Sequence, residues 1–435
     1  MQFHAFLPTV KQQQKLDAIH PDMKSNELKN SDSAPNKMKL QSSLNRRQVM
    51  RTACLTSTAA LTSLAIPQRA SAAYSEILSY QVISPTPDLY CGWPTLTRRK
   101  NGQLILVWSG GREEHVCPFG KVELMRSDDE GKTWTWPRTI HDSAIDDRDA
   151  GVLETDRGTL LVTTFSSLAY QSGLNQAVAA LKNGKGIWTQ EKLDRWLAAH
   201  QRTSKETREK ELGQWMIRST DGGLSWSQRY RCPVNSPHGP IQISDGSLLY
   251  AGVQIWDKER KVGVCKSTDD GISWQWLANL PIRSGDQSRE YHELHAVECD
   301  SGKIIIHIRN HNPNHTRETL QSESTDGGKT WTEPHSIGVW GLPSFLQRLR
   351  SGRILMSYGY RRKPFGNQAR YSDDEGASWS DPITISDDGM GGDLGYPSTV
   401  ELSDGTLLTV WYEKLKDSPR AVLRQARWRI HEGIR

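Results

Sequence analysis

The sequence predicts an all-β fold: a six-bladed β-propeller of four-stranded antiparallel blades, with a helical insertion in the second blade. Two independent repeats predict it. The first is an octapeptide, Ser-x-Asp-x-Gly-x-(Ser/Thr)-Trp, found five times: Ser127 to Trp134, Ser219 to Trp226, Ser267 to Trp274, Ser324 to Trp331 and Ser372 to Trp379. Its Asp closes an Asx-type turn, its Gly accepts a positive φ, and its Trp anchors the returning strand. Five copies in one chain mark a repeat architecture. The second repeat is a hairpin turn followed by an apolar strand. It occurs at Asn101-Gly102, Arg157-Gly158, Asp245-Gly246, Ser301-Gly302, Ser351-Gly352 and Asp404-Gly405, at intervals of 56, 88, 56, 50 and 53 residues. Six such signals give six blades.

Taken from the N-terminus, residues 1–72 read as a targeting leader. Asn45-Arg46-Arg47-Gln48-Val49-Met50 looks like a twin-arginine export motif; a modestly apolar run to Pro67 follows, and Ala70-Ser71-Ala72 supplies a small-residue cleavage site. The apolar run is too short and too rich in Thr and Ser for a stable membrane span. An exported, periplasmic or extracellular protein is therefore expected. The leader holds ten Lys/Arg against four Asp/Glu, which leaves 45 basic and 46 acidic residues for the rest of the chain. The formal charge of +5 thus belongs to the leader, and nothing beyond it favours nucleic acid.

The propeller is expected over residues 73–435. Glu76–Ser84 is expected to complete the sixth blade, which has no octapeptide, and so to close the ring and leave no open sheet edge. The strands after the six turns (QLILVW, TLLVTT, SLLYAG, KIIIHI, RILMSY and TLLTVW) carry the β-branched and aromatic residues of strands buried between blades. Between about 168 and 211 the blade pattern breaks. Leu193, Trp196, Leu197 and His200 recur at helical spacing and Glu206 and Lys210 form an i,i+4 pair, so two helices over one propeller face are expected, as a clamp or as a rim of the pocket. Of the sixteen Trp, five belong to the octapeptides. Outside the leader stand Cys91, Cys117, Cys232, Cys265 and Cys299; none has metal-ligand spacing, and Cys91 with Cys117 is a candidate disulfide within the first blade.

The innermost strands of a propeller begin around the central axis, so their opening residues converge. They read Gly92-Trp93-Pro94, Asp147-Arg148-Asp149, Pro237-His238-Gly239, His292-Glu293, Gly341-Leu342-Pro343 and Gly395-Tyr396-Pro397. Ionisable side chains in four of these six starts favour a polar small-ligand site.

The octapeptides resemble the Asp-boxes of the sialidase superfamily, and two blades match that family at the level of the site. Glu293-Leu294-His295-Ala296-Val297-Glu298, with Arg309 closing the next strand, is similar to the family's Glu-x-x-x-Val-Glu strand and its arginine. Gly395-Tyr396-Pro397-Ser398, followed by Trp411-Tyr412-Glu413, is similar to the strand with the family's nucleophilic tyrosine. Arg361 and Arg362 stand where the family places another arginine. The resemblance implies an exo-glycosidase acting on glycans with a terminal acidic sugar, sialic acid or a related nonulosonate, with neither metal nor nucleotide cofactor. It implies attack by Tyr396, Glu293 as its base, and Arg309 with Arg361 or Arg362 on the substrate carboxylate. That chemistry is coherent. Sialic acid carries a carboxylate on the anomeric carbon, where a neutral phenol avoids the repulsion a carboxylate nucleophile would meet. Guanidinium forks suit the carboxylate better than lysine does.

Two departures stand out. The family's Arg-Ile-Pro is Gly92-Trp93-Pro94 here, so Arg112 or Arg148 becomes the candidate third arginine. The loop that carries the family's acidic Asp reads Ser109-Gly110-Gly111-Arg112-Glu113-Glu114-His115-Val116, which makes Glu114, His115 or Asp149 the candidate acid. His238 is a further candidate ligand contact. The departures leave open a glycosidase for another anionic sugar, such as a uronic acid, and a non-catalytic glycan-binding propeller.

Overall fold

The computed structural model describes residues 74–313 and 318–431. The twin-arginine motif, the cleavage site and Cys54 lie outside the described residues. Six sheets, each four-stranded and antiparallel, follow one another around the ring. Their innermost strands are Tyr90–Arg98, Asp146–Glu154, Ile241–Gln242, Tyr291–Glu298, Ser344–Arg348 and Leu394–Glu401. The sixth sheet is completed by Tyr74–Val82, which pairs antiparallel with the C-terminal strand Ala421–His431, Tyr74 opposite His431 and Val82 opposite Arg424. N- and C-terminal segments thus close the ring as expected, while the innermost strand of each blade pairs only with that blade's second strand.

The second strand of each blade is the most apolar. Leu104–Trp108 and Ile304–Ile306 are fully buried between neighbouring sheets. The five octapeptides share one hydrogen-bond scheme. In the first, Ser127 Oγ donates to Asp129 Oδ1 (2.8 Å), Gly131 N donates to Ser127 Oγ (2.8 Å), and Thr133 donates to Asp129 from both N (2.9 Å) and Oγ1 (2.6 Å). Asp221, Asp269, Asp326 and Asp374 accept the same bonds. Each turn has positive φ at two successive residues, for example Glu130 at 59° and Gly131 at 82°. Where that first position is Glu, its carboxylate clasps the hairpin of the preceding blade: Glu130 accepts from Ser403 N (3.0 Å), and Glu375 from Ser301 N (3.0 Å). These turns stand at the same end as the strand 1–strand 2 hairpins, away from the inner-strand starts.

Three helices, not two, occupy the insertion: α1 (Tyr170–Lys182), α2 (Gln190–Gln201) and α3 (Lys205–Glu211). Thr189 and Ser204 cap α2 and α3 by accepting from the backbone N–H three residues on. The apolar spacing from Leu193 to His200 falls wholly within α2, and the cap at Ser204 starts a separate short helix beyond it. The i,i+4 ion pair on α3 joins Lys205 to Glu209 (3.8 Å) rather than Glu206 to Lys210. Leu174, Leu193 and Trp196 pack with Cys117, Ile145 and Leu168, so the helices share a core with the first blade's strand 2–strand 3 loop. Among the described residues no helix is long and apolar enough to cross a membrane. All five cysteines outside the leader are free and buried. The candidate bridge fails because Cys91 is buried in the core between the first and sixth blades while Cys117 lies in the core beneath the helices.

Candidate functional site

A shared backbone device builds the hub. In the inner strands of blades 1, 2, 4 and 6 the register slips between Gly92 and Thr95, Arg148 and Gly151, Tyr291 and Leu294, and Gly395 and Ser398. In each case three steps on the inner strand face two on its partner, which is a β-bulge with one extra residue. A bulge re-aims a side chain, and here it sends Trp93, Asp149, Glu293 and Tyr396 towards the axis. Trp93, Asp149 and Tyr396 sit at φ of 54°, 49° and 53°, a region that costs a non-glycine residue about 1 kcal/mol or more. The strands run very close beside these bulges. A Cβ on Gly151 would stand 2.5 Å from Gly239 N, so only glycine fits between blades 2 and 3 there.

Tyr396 and Glu293, 103 residues apart in sequence, meet at this hub: the phenol donates a short hydrogen bond to Glu293 Oε1. Arg309 Nη1 donates to Glu293 Oε2 at 2.6 Å and to the Tyr396 hydroxyl at 3.3 Å, so one guanidinium fixes both groups. Arg309 Nε donates to His311 Nε2 at 2.8 Å, which requires that imidazole to be neutral. Burial, with Arg309 close by, indeed holds His311 down at about 3. Burial and then the Glu293 charge push the Tyr396 phenol well above its ordinary value, despite Arg309. A free tyrosinate is therefore disfavoured, and ionisation has to be coupled to proton transfer onto Glu293.

The floor opens into a pocket of about 400 Å³, lined among others by Tyr90, Glu114, His115, Arg309, Arg361 and Tyr396. Arg361 lies over the Tyr396 ring (5.8 Å to its centre) and donates from Nε to Leu394 O at 3.0 Å. Arg362, the other arginine of that pair, is exposed and stacks on Trp340 at 3.8 Å, outside the pocket. The two neighbours diverge just beyond the end of the strand Ile354–Tyr360, and Arg361 is the one that faces the site.

The two candidates for a third arginine differ. Arg112 is fully buried and held bidentately by Asp146 (2.6 and 3.0 Å), with further bonds to Ser109 Oγ and His115 O. Both of its Nη groups are taken up by these structural bonds and it does not line the pocket, which moves it from substrate contact to structure. Arg148 is 3% exposed, lies 4.5 Å over the Trp93 ring, and has no hydrogen-bonded partner for Nε. It lies behind the pocket wall rather than in it. His238 is also displaced from contact. It is buried under the hub against His295 (5.4 Å) and Phe345 (5.1 Å), and burial lowers it to about 3, so it packs as a neutral ring.

The three candidate acids separate as well. Glu114 reaches the pocket but is ion-paired with Lys192 of α2 through both oxygens, at 2.9 and 3.0 Å. His115 Nδ1 lies 2.7 Å from the Tyr90 hydroxyl and 3.1 Å from Asp393 Oδ1, and burial lowers the imidazole. Asp149 is 7% exposed and, like Arg148, stands behind the pocket lining, within reach of the Glu293 charge; burial, reinforced by Glu293 and opposed by Arg148, raises it to about 7.

Sequence reasoning missed Asp393, Tyr90, His311, Lys414 and Arg420, all of which line the pocket. A signal existed for the first two. Tyr90, Asp146 and Asp393 each stand three residues before a bulged residue, and each anchors a polar contact there: Tyr90 donates to Asp393 at 2.9 Å, and Asp146 holds Arg112.

The family model described as a BNR repeat-like domain matches residues 179–409. The chain belongs to that family. No curated protein matches it. Among solved structures, this BNR-repeat chain is similar to a Dyadobacter fermentans protein of unknown function, at 22% identity and a TM-score of 0.66 over 82% of this chain and 99% of that one. A Hadza microbial sialidase aligns at 19% identity and a TM-score of 0.54, covering 78% of this chain and 65% of that one. The NanB sialidase of Streptococcus pneumoniae aligns at 15% identity and a TM-score of 0.57, covering 81% and 70%. At such identities the likeness establishes the fold: the BNR-repeat chain is a sialidase-like propeller.

Proposed function

We propose that this BNR-repeat protein is an exported, retaining exo-glycosidase that removes a terminal α-linked sialic acid, or a related acidic nonulosonate, from glycans. The observation that carries the reading is the Tyr396–Glu293–Arg309 constellation on the pocket floor. Tyr396 Oη attacks the anomeric carbon as its proton passes to Glu293, and the bond to the leaving oxygen breaks as Asp149 protonates that oxygen. Asp149, now ionised, takes a proton from the incoming water; the water oxygen bonds to the anomeric carbon, and Tyr396 leaves with the proton held by Glu293. Proton transfers and charges balance over the two halves. A carboxyl raised to about 7 suits this double duty, because both forms are populated near neutral pH. Arg309 and Arg361 flank the phenol and hold the sugar carboxylate.

A second reading has its own support. With Gly92 in place of the first-blade arginine, the carboxylate grip is weaker by one guanidinium, which suits a uronic acid or another anionic sugar end. Hydrolysis of fluorogenic α-sialosides, uronides and neutral glycosides by the purified protein separates the two. Turnover of the sialoside alone is expected. Turnover of the uronide alone overturns the sialidase reading in favour of the second, and binding without turnover of either makes the propeller a lectin.

A further inference from the structure

The wall contributed by blade 6 carries more positive charge than one carboxylate needs. Six residues lining the pocket belong to charged types other than histidine: Glu114, Arg309, Arg361, Asp393, Lys414 and Arg420. Arg309 is neutralised by Glu293, and Glu114 by Lys192. That leaves Arg361, Lys414 and Arg420 against Asp393 alone, since burial lowers both His115 and His311 towards the neutral form. A single substrate carboxylate would still leave an unbalanced positive charge.

Lys414 ends the strand Leu407–Lys414 and is exposed, while half-buried Arg420 stands just before the strand Ala421–His431. Neither side chain has an ion-pair or hydrogen-bond partner among the described residues. The contrast with their surroundings is clear. Arg424, four residues on, is paired with Asp388 (2.6 Å) and Glu413 (2.8 Å), and Arg427 with Asp404 (2.8 Å). Two cations left unpaired on the lining of one cavity, beside a strand in which Arg424 and Arg427 are paired, form a complement to an anion.

We propose that Lys414 and Arg420 form a second anion subsite, so that the glycan carries two negative groups: the sugar carboxylate at Arg309 and Arg361, and a second oxyanion substituent, a sulfate ester or another carboxylate, against blade 6. The inference rests on the acidic-sugar reading of the pocket and extends it to the substituent beside that sugar.

The test uses the full chain carrying Tyr396→Phe, so that binding is read without turnover. Calorimetry compares a sialyllactose with its counterpart sulfated on the penultimate galactose and with a disialylated glycan. At least one dianionic sugar is expected to bind roughly tenfold more tightly than the monoanionic one, and which one gains identifies the source of the second charge. In the K414Q/R420Q double variant that advantage is expected to fall within about twofold of parity. Equal affinities, or an advantage that survives the double variant, overturn the subsite. Crystals soaked in sodium selenate decide it independently of the sugar: an anion between Lys414 and Arg420 is expected, and its absence overturns the proposal. Selenate there, with no sialoside bound at Arg309, would reject the acidic-sugar reading while leaving the subsite standing.

Discussion

The two ends of the propeller solve opposite problems with the same backbone trick. Of the seven non-glycine residues at positive φ among the described residues, Glu130, Asp270 and Glu375 lie in the octapeptide turns, and Trp93, Asp149 and Tyr396 lie in the hub bulges; Arg260 belongs to neither set. In the turns the strain is offset by a repeated hydrogen-bond net, so the same residues recur five times. In the bulges each strained position holds a different side chain, so the scaffold repeats while the chemistry does not. The difference teaches where to look for function in a repeat protein: at equivalent positions whose residues disagree.

That contrast can be broken most sharply at Tyr396. Tyr396→Phe removes the nucleophilic oxygen and keeps the ring packing, so turnover is expected to fall by roughly three orders of magnitude or more, with little change in Tm, by steady-state kinetics and calorimetry. Asp149→Asn should cost about 10²- to 10³-fold in kcat/KM on a substrate with a poor leaving group, and much less on an activated phenyl glycoside. In the unaltered protein Asp149 must be protonated to donate. Activity should therefore decline as pH rises through about 7, and that limb should vanish in the variant. The same shift bears on stability. The folded value lies above the unfolded one, so the contribution is complete below about 4 and is lost as pH rises through about 7. Melting curves of Asp149→Asn should accordingly lack this loss.

Arg112→Met tests the assignment of that arginine to structure rather than to substrate. It strands Asp146, which is 0% exposed, without its partner, and a destabilisation of about 3–5 kcal/mol in denaturant melts is expected. A variant of unchanged stability with a raised KM would instead return Arg112 to the substrate. At the perimeter, Asp374→Ala removes the acceptor of bonds from Ser372, Ser378 N and Ser378 Oγ. A Tm lowered by a few degrees, with kcat/KM unchanged, is expected.

How much of this was legible in the sequence follows from the same contrast. The ring, its six blades and the N-terminal closing strand were readable because turns and apolar strands are local, and the repeats multiply a weak signal. The pairing of Tyr396 with Glu293 was reachable because both open an inner strand, and such starts converge in any propeller. The fates of the arginines were not. Both Arg112 and Arg148 stand beside acidic residues in the sequence, and only the bidentate Asp146 contact, made across blades, removes the first from the site. The split between Arg361 and Arg362 depends on which face the strand end presents. His311 and Arg420 sit on connections, and Lys414 at the strand end that opens one, whose path over the pocket no local pattern encodes.

The claim on which the rest depends is that the Tyr396 oxygen forms the bond to the sugar. Incubation with a 3-fluorosialosyl fluoride, followed by proteolysis and mass spectrometry of the peptides, tests it most directly. A glycosyl adduct on Tyr396, absent from Tyr396→Phe, is the expected result. No adduct, or an adduct on another side chain, would contradict it.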